Sequence, residues 1–239
     1  MKKRSKRYQE RAKLVPASKT KILPLPEAIK TLKQIPAGKF DESLEIHLQL
    51  GIKPDQTDET VRGMAPLPHG LGKKVRVLCF CKGEGVRDAQ TAGADYVGGE
   101  DLIAKVLGGW MEFDSVIAHP DMMREVSKLG RILGPRGLMP TPKTGTVALD
   151  VAKAVKEVKA GRAEFKSDKT GGIHVSCGKM SFSEQALFEN SQSVLKAIVQ
   201  AKPTAVKADY IKRAYVATTQ GPAVRIDVSS FTQKDVEGN

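Results

Sequence analysis

The segment Lys82-Gly83-Glu84-Gly85-Val86-Arg87-Asp88 follows an apolar run and opens a helical pattern, where a glycine-rich loop would cradle a dinucleotide pyrophosphate. Asp88 stands where the third glycine is needed, and Glu84 brings negative charge beside the anion. Close backbone approach to a phosphate fails on both counts, so no cofactor is expected. Cys79 and Cys81 share one face of a strand, but Cys177 is more than ninety residues away and no Cys-x-x-Cys or His pair accompanies them. A structural zinc needs four ligands at suitable spacing, so these cysteines read as small buried hydrophobes and no metal is expected. His47, His69, His119 and His174 are scattered. No Ser/His/Asp or paired-carboxylate constellation assembles from them, and the chain does not read as an enzyme.

Three other places suit a polyanion. The loop of residues 129–147 is rich in Gly and Pro and carries Arg131, Arg136 and Lys143; it fits an anion-binding loop and a long packing loop equally well. Lys39-Phe40-Asp41-Glu42-Ser43 puts a cation, an aromatic face and acceptors at the entry to a strand, a mix suited to phosphate, a stacked base and ribose hydroxyls. Phe40 as a simple core residue is the competing account. Thr218-Thr219-Gln220-Gly221-Pro222 offers hydroxyls and close backbone approach at a turn, or is merely a hairpin. With aromatics at 5% of residues, a multi-base stacking platform is not expected; recognition of a folded RNA surface fits better.

The charge agrees. The 239 residues carry a net charge of +12, of which residues 1–39 hold +10 and residues 40–66 hold −4. Most of the excess is thus an N-terminal basic arm suited to phosphate neutralisation. A hydrophobic fraction of 40% and a charged fraction of 28% are those of a folded globular chain. No apolar run approaches membrane-spanning length and the N-terminus opens on Lys and Arg, which points to a cytoplasmic protein without a membrane partner.

The elements that must position these residues change character along the chain. A helix is expected over residues 25–34. Leu44, Ile46, Leu48, Leu50 and Ile52 alternate with Glu45, His47 and Gln49, which makes residues 43–52 a half-buried strand. A turn at Pro54-Asp55-Gln56 leads to a strand over residues 60–64. From Val75 to Cys81 the run is almost continuously apolar, as in a strand covered on both faces, and it opens an alternation: helix 86–92, strand 96–97, helix 101–107, strand 115–118, helix 120–127. Past Gly161 a hairpin is expected, residues 162–166 and 173–178 about a turn at 168–172. A long helix then starts at a capping box of Ser181 and Glu184 and stops at Lys202-Pro203, and strands at 210–218 and 223–228 close the chain. The expected fold is a discontinuous α+β domain, residues 1–66 and 161–239, with a three-layer, Rossmann-like α/β domain of parallel sheet inserted at 67–160. Two adjacent linkers would allow a hinge.

Lys39-Phe40-Asp41-Glu42, Val61-Arg62-Gly63, Leu67-Pro68-His69-Gly70-Leu71-Gly72-Lys73, Ala92-Gly93-Ala94-Asp95-Tyr96-Val97-Gly98-Gly99, the loop 130–147 and Phe165-Lys166-Ser167-Asp168-Lys169-Thr170-Gly171 together closely resemble the bacterial ribosomal protein L-one family, over nearly the whole chain. The resemblance implies a large-subunit ribosomal protein on the mobile stalk beside the E site. It would bind ribosomal RNA through the discontinuous domain and lie among other ribosomal components. It would also assist release of deacylated tRNA and repress its own operon by binding an rRNA-like site on the messenger. The free protein would be a monomer, and its place the cytoplasmic ribosome. Carried over, the RNA surface comprises Lys39, Phe40, Glu42 and Ser43; Lys166, Lys169, Thr170, Gly171 and His174; and Thr218, Thr219, Gly221 and Pro222. Gln220 departs from the methionine usual in the family. The polar tail from Thr232 lies beyond the family's usual end. A catalytic α/β domain and a DNA-binding repressor are the competing functions; the first lacks a phosphate fingerprint, the second a helix-turn-helix or zinc signature.

Overall fold

The structure is a computed structural model, and it describes residues 4–15, 22–36, 38–53, 59–204, 206 and 209–232. The expected turn at Pro54-Asp55-Gln56, the first three residues of the arm and the tail past Thr232 lie outside these. In chain order the elements are α1 (Lys6–Lys13), α2 (Leu25–Lys33), β1 (Ser43–Leu50), β2 (Arg62–Pro66), β3 (Val77–Phe80), α3 (Glu84–Thr91), β4 (Tyr96–Gly98), α4 (Glu100–Leu107), β5 (Ser115–Ala118), α5 (Met123–Val126), α6 (Gly130–Leu133), α7 (Val151–Ala160), β6 (Arg162–Lys166), β7 (Gly172–Lys179), α8 (Glu184–Gln200), β8 (Ile211–Thr218), β9 (Val224–Arg225) and α9 (Ser229–Thr232). Two compact units form, residues 1–72 with 163–239, and residues 73–162.

In the first unit an antiparallel sheet runs in the order β7-β1-β8-β9, and β2 pairs with β6 in a separate ribbon. Leu44, Ile46, Leu48 and Leu50 of β1 are buried in one core with Ala28, Ile29 and Leu32 of α2 and Leu187, Val194, Leu195 and Ile198 of α8. Each such aliphatic side chain contributes about 1.5–3 kcal/mol on burial, so the alternation itself fixes which face of β1 looks outward. That outward face carries Glu45, His47 and Gln49.

The second unit is built on the parallel sheet β4-β3-β5. Leu78 and Phe80 of β3 enter a core with α4, α5 and α6, while Val77, Cys79 and Cys81 enter another with α3 and α7. Both faces of β3 are therefore covered, which is why its sequence shows no alternation. Among the described residues no helix is long and apolar enough to cross a membrane.

Several elements differ from the sequence pattern. Residues 6–13 of the basic arm form a helix capped by Ser5, whose hydroxyl accepts from the Tyr8 N–H. Asp150 caps α7, a helix the pattern left unread. β6 and β7 are not a hairpin pair: β6 bonds to β2 and β7 to β1, with the turn between them bridging two sheets. Ser183, not Ser181, caps α8, because the Ser181 hydroxyl is held by Asp41 at 2.7 Å. β2 lies two residues later than expected, β9 keeps only two residues, and the expected helix 120–127 is a 3-10 turn (Pro120–Met122) followed by α5. The units divide after Gly72 and Arg162 rather than after Pro66 and Ala160. Leu67 is buried in the first core, and Asn190 of α8 ties down the residues just after it: its Oδ1 accepts from the His69 N–H at 3.1 Å and its Nδ2 donates to the Gly70 carbonyl at 3.0 Å.

Candidate RNA interface

At one end of β1 two loops are tied through one carboxylate. Glu42 Oε1 accepts from Arg11 at 2.9 Å and from the Gly38 N–H at 3.1 Å, and Oε2 accepts from the Gln220 N–H at 3.2 Å. Burial pushes the Glu42 carboxyl up, but hydrogen bonds from Thr218, Arg11 and Gln220 outweigh it and hold the group below its ordinary value. Thr219 closes the same junction, its Oγ1 accepting from the Ser43 N–H at 2.9 Å and its N–H donating to the Ser43 carbonyl at 3.1 Å. Asp41 accepts from the Ser181 N–H and hydroxyl, and Lys179 donates to Ser43 Oγ at 2.9 Å. A Cβ on Gly221 would fall 2.2 Å from Thr218 Oγ1, so any side chain there would force Thr218 or the turn to shift.

The loop so braced leaves Lys39 exposed and the Phe40 ring 47% exposed. Phe40 is no core residue. Thr219 is also exposed and Ser43 partly so, while Glu42, Thr218 and Pro222 are buried. Glu42, expected as a contact with RNA, is buried with both oxygens bonded inside the junction.

At the far end of β1, roughly 23 Å away for seven strand steps, lies the second group of expected residues. Asp168 Oδ1 accepts from the Thr170 N–H at 2.8 Å, the Thr170 hydroxyl at 2.8 Å and the Gly172 N–H at 2.7 Å. These bonds, led by the one from Gly172, hold its carboxyl below the usual aspartate range. Gly171 takes φ +78°, and its carbonyl accepts from the Leu50 N–H at 2.9 Å. Gln49 donates to the Thr170 carbonyl at 2.9 Å. Lys166, Lys169 and Thr170 stay exposed at this end, with Gly171 buried beneath them. His174 stands on the outward sheet face between the two ends. The thirteen expected residues therefore form two end clusters joined by a sheet face.

Sequence reasoning missed Arg11, which lies 3% exposed in what reads as a basic arm for phosphate neutralisation, and Arg7, which donates to the Gln220 side-chain oxygen. Only the period of α1 could have shown Arg11 on its inner side. It also passed over His47, Tyr215, Arg213 and Arg225 on the outward face, although the alternation had already turned His47 that way.

The other sites are occupied by structure. Lys82 is taken by Glu100 at 2.8 Å and Glu125 at 3.3 Å. Cys79 and Cys81 sit 3.7 Å apart between sulfurs in a core, and burial pushes both thiols up. Among the described residues no three His, Cys, Asp or Glu side chains gather where a metal could sit. Parts of the loop 129–147 are packed, with Arg131 and Arg136 left exposed: residues 130–133 are helical, Leu133 is buried, and the hydroxyls of Thr141, Thr144 and Thr146 bond one another at 2.8 and 2.9 Å.

Residues 31–222 match the model of the ribosomal protein L1p/L10e family. The chain is 54% identical over 227 residues to large ribosomal subunit protein uL1 of Kosmotoga olearia, covering 95% of this chain and 97% of that one. It is 50% identical over 231 residues to large ribosomal subunit protein uL1 of Thermus thermophilus, covering 96% of this chain and all of the other.

Proposed function

Since the chain belongs to the ribosomal protein L1p/L10e family, we propose that it is a constituent of the large ribosomal subunit, in the cytoplasm, that binds ribosomal RNA through its first unit. The observation that carries this reading is the braced loop: five hydrogen bonds through Glu42 and Thr219 hold the loop that carries a half-exposed Phe40 and an exposed Lys39. An aromatic ring held outside the core, on a loop already braced by internal hydrogen bonds, suits stacking on an unpaired base or ribose. Lys166 and Lys169 at the other end would meet phosphate, which positions the RNA without reading it.

The finer roles belong to the same reading. The RNA is that of the mobile stalk; the protein assists release of deacylated tRNA from the E site, and it represses its own operon by binding a messenger site that imitates the ribosomal one. The second unit is the part left free for tRNA, with Arg131 and Arg136 exposed on it. Binding of a transcribed stalk fragment against duplex DNA across a salt series tests the central claim. A preference for the stalk RNA that survives high salt supports it, and equal affinities with one steep salt slope would sink it.

A further inference from the structure

The outward sheet face between the two clusters holds a group that neither cluster explains. His47 of β1 and His174 of β7 stand opposite each other in register, with their Nδ1 atoms 2.9 Å apart and ring centroids 5.1 Å apart. Each ring turns its other nitrogen toward a carboxylate: His47 Nε2 lies 3.7 Å from Glu45, and His174 Nε2 lies 3.7 Å from Asp168. On the other side of β1, Tyr215 of β8 stands opposite His47, and Arg225 of β9 opposite Tyr215. Arg213 of β8 stands opposite Gln49, one row along. Glu45, Asp168, Tyr215, Arg213 and Arg225 are the titratable and charged groups that face the pair from these elements.

Proton counting on this geometry is restrictive. A 2.9 Å contact between two Nδ1 atoms needs one proton in it and has no room for two. One bare Nδ1 therefore remains in the contact while it is closed. Burial first, and then the neighbouring His174, hold the pKa of His47 below that of an ordinary histidine against a smaller upward pull from Glu45.

We propose that the His47–His174 pair is a proton-linked RNA contact: a phosphodiester backbone running along the sheet face from one cluster to the other brings a second proton onto the pair. The proton comes from solvent and forms a new N–H bond at the bare Nδ1. Two imidazoliums cannot share the 2.9 Å contact, so it opens and both rings present an N–H to the phosphate. Arg213 and Arg225 add positive charge on the same face. This rests on the RNA-binding reading above and adds to it a contact residue, His47, and a linked proton.

The test is the affinity of the full chain for a transcribed stalk fragment between pH 5.5 and 8.0 at fixed salt. The wild-type Kd is expected to rise by about tenfold across the range, since one linked proton gives at most tenfold per pH unit between its free and bound pKa values. His47→Gln and His174→Gln should flatten the profile, and His69→Gln, whose ring pairs with Glu189 of α8, should leave it sloped. A flat wild-type profile, or an unchanged slope in both glutamine variants of the pair, overturns the proposal. Should those variants not fold, calorimetry of the wild type in buffers of different ionisation enthalpy counts the proton directly: uptake near one supports the proposal and zero overturns it. The RNA-binding reading fails separately, if stalk RNA is bound no better than duplex DNA at every pH.

Discussion

Arg11 and Glu42 form a 2.9 Å ion pair with both side chains almost wholly buried, and the pair links the N-terminal helix to both loops of the candidate interface. Breaking such a pair from one side leaves an uncompensated buried charge, which costs about 3–5 kcal/mol. Arg11→Met should lower stability by that order in urea unfolding at pH 7 and weaken stalk RNA binding, although Arg11 itself is hidden from a partner. The sign with pH is set by Glu42. Its folded pKa lies below its unfolded value of about 4.3, so its stabilising contribution is complete above that value and is lost as pH falls through the folded pKa. Unfolding measured at pH 6 and again below pH 4 should show the wild type losing more stability than Arg11→Met. Equal losses would mean that the pair does not hold the carboxyl down.

Phe40 and Thr219 separate binding from folding. Phe40 is half exposed and outside the core, so Phe40→Ala should change stability by less than about 0.5 kcal/mol while weakening stalk RNA binding by roughly 1–3 kcal/mol through lost stacking. Thr219→Val removes the acceptor for the Ser43 N–H and should cost about 1 kcal/mol in stability, with a binding loss of roughly 1–3 kcal/mol. Filter binding and urea melts on the two variants decide the matter, and a Phe40→Ala protein that binds RNA like wild type would remove the loop from the interface.

Gly221→Ala probes the turn with the smallest possible change. The added Cβ meets Thr218 Oγ1 at 2.2 Å, and Thr218 is buried, so the turn must shift. Such overpacking costs roughly 1–3 kcal/mol, and the shift would pull the Gln220 N–H away from Glu42. Both urea stability and stalk RNA affinity should fall. A variant as stable and as tight-binding as wild type would show that the turn adapts and that its geometry is not what RNA reads.

The features legible in the sequence are those set by period and local chemistry. The alternation of β1 is strict because one face must be buried, so both faces were readable residue by residue, and the doubly covered β3 announced itself by lacking alternation. Lys39, Phe40 and Thr219 were legible as groups at an element's edge, and all three are exposed. The role of Glu42 was not, since a carboxylate next to a lysine and an aromatic reads as surface until Arg11, thirty-one positions earlier, is folded onto it. The same limit hid the partners of β6 and β7. Turn residues 168–172 say that the chain reverses, whereas which sheet each strand joins depends on β1 and β2 more than a hundred residues upstream. Ser181 misled for a related reason: its spacing to Glu184 suits a capping box, but Asp41 supplies a stronger, charged acceptor for its hydroxyl.

The first unit should bind RNA without the second. Its core is contiguous across the two chain segments, with Leu44 and Ile46 of the first packed against Leu187 and Ile198 of the other, and both end clusters and the histidine face lie on it. A chain in which residues 73–162 are replaced by a short Gly-Ser linker should unfold cooperatively in urea and bind the stalk fragment within a few-fold of the full protein. The linker shortens the loop between the two segments, and loop-closure entropy changes by only about 0.6 kcal/mol per doubling of length, so stability should change little from that source. A shortened chain that folds but no longer binds would place necessary contacts on the second unit, where Arg131 and Arg136 would then be the first residues to replace.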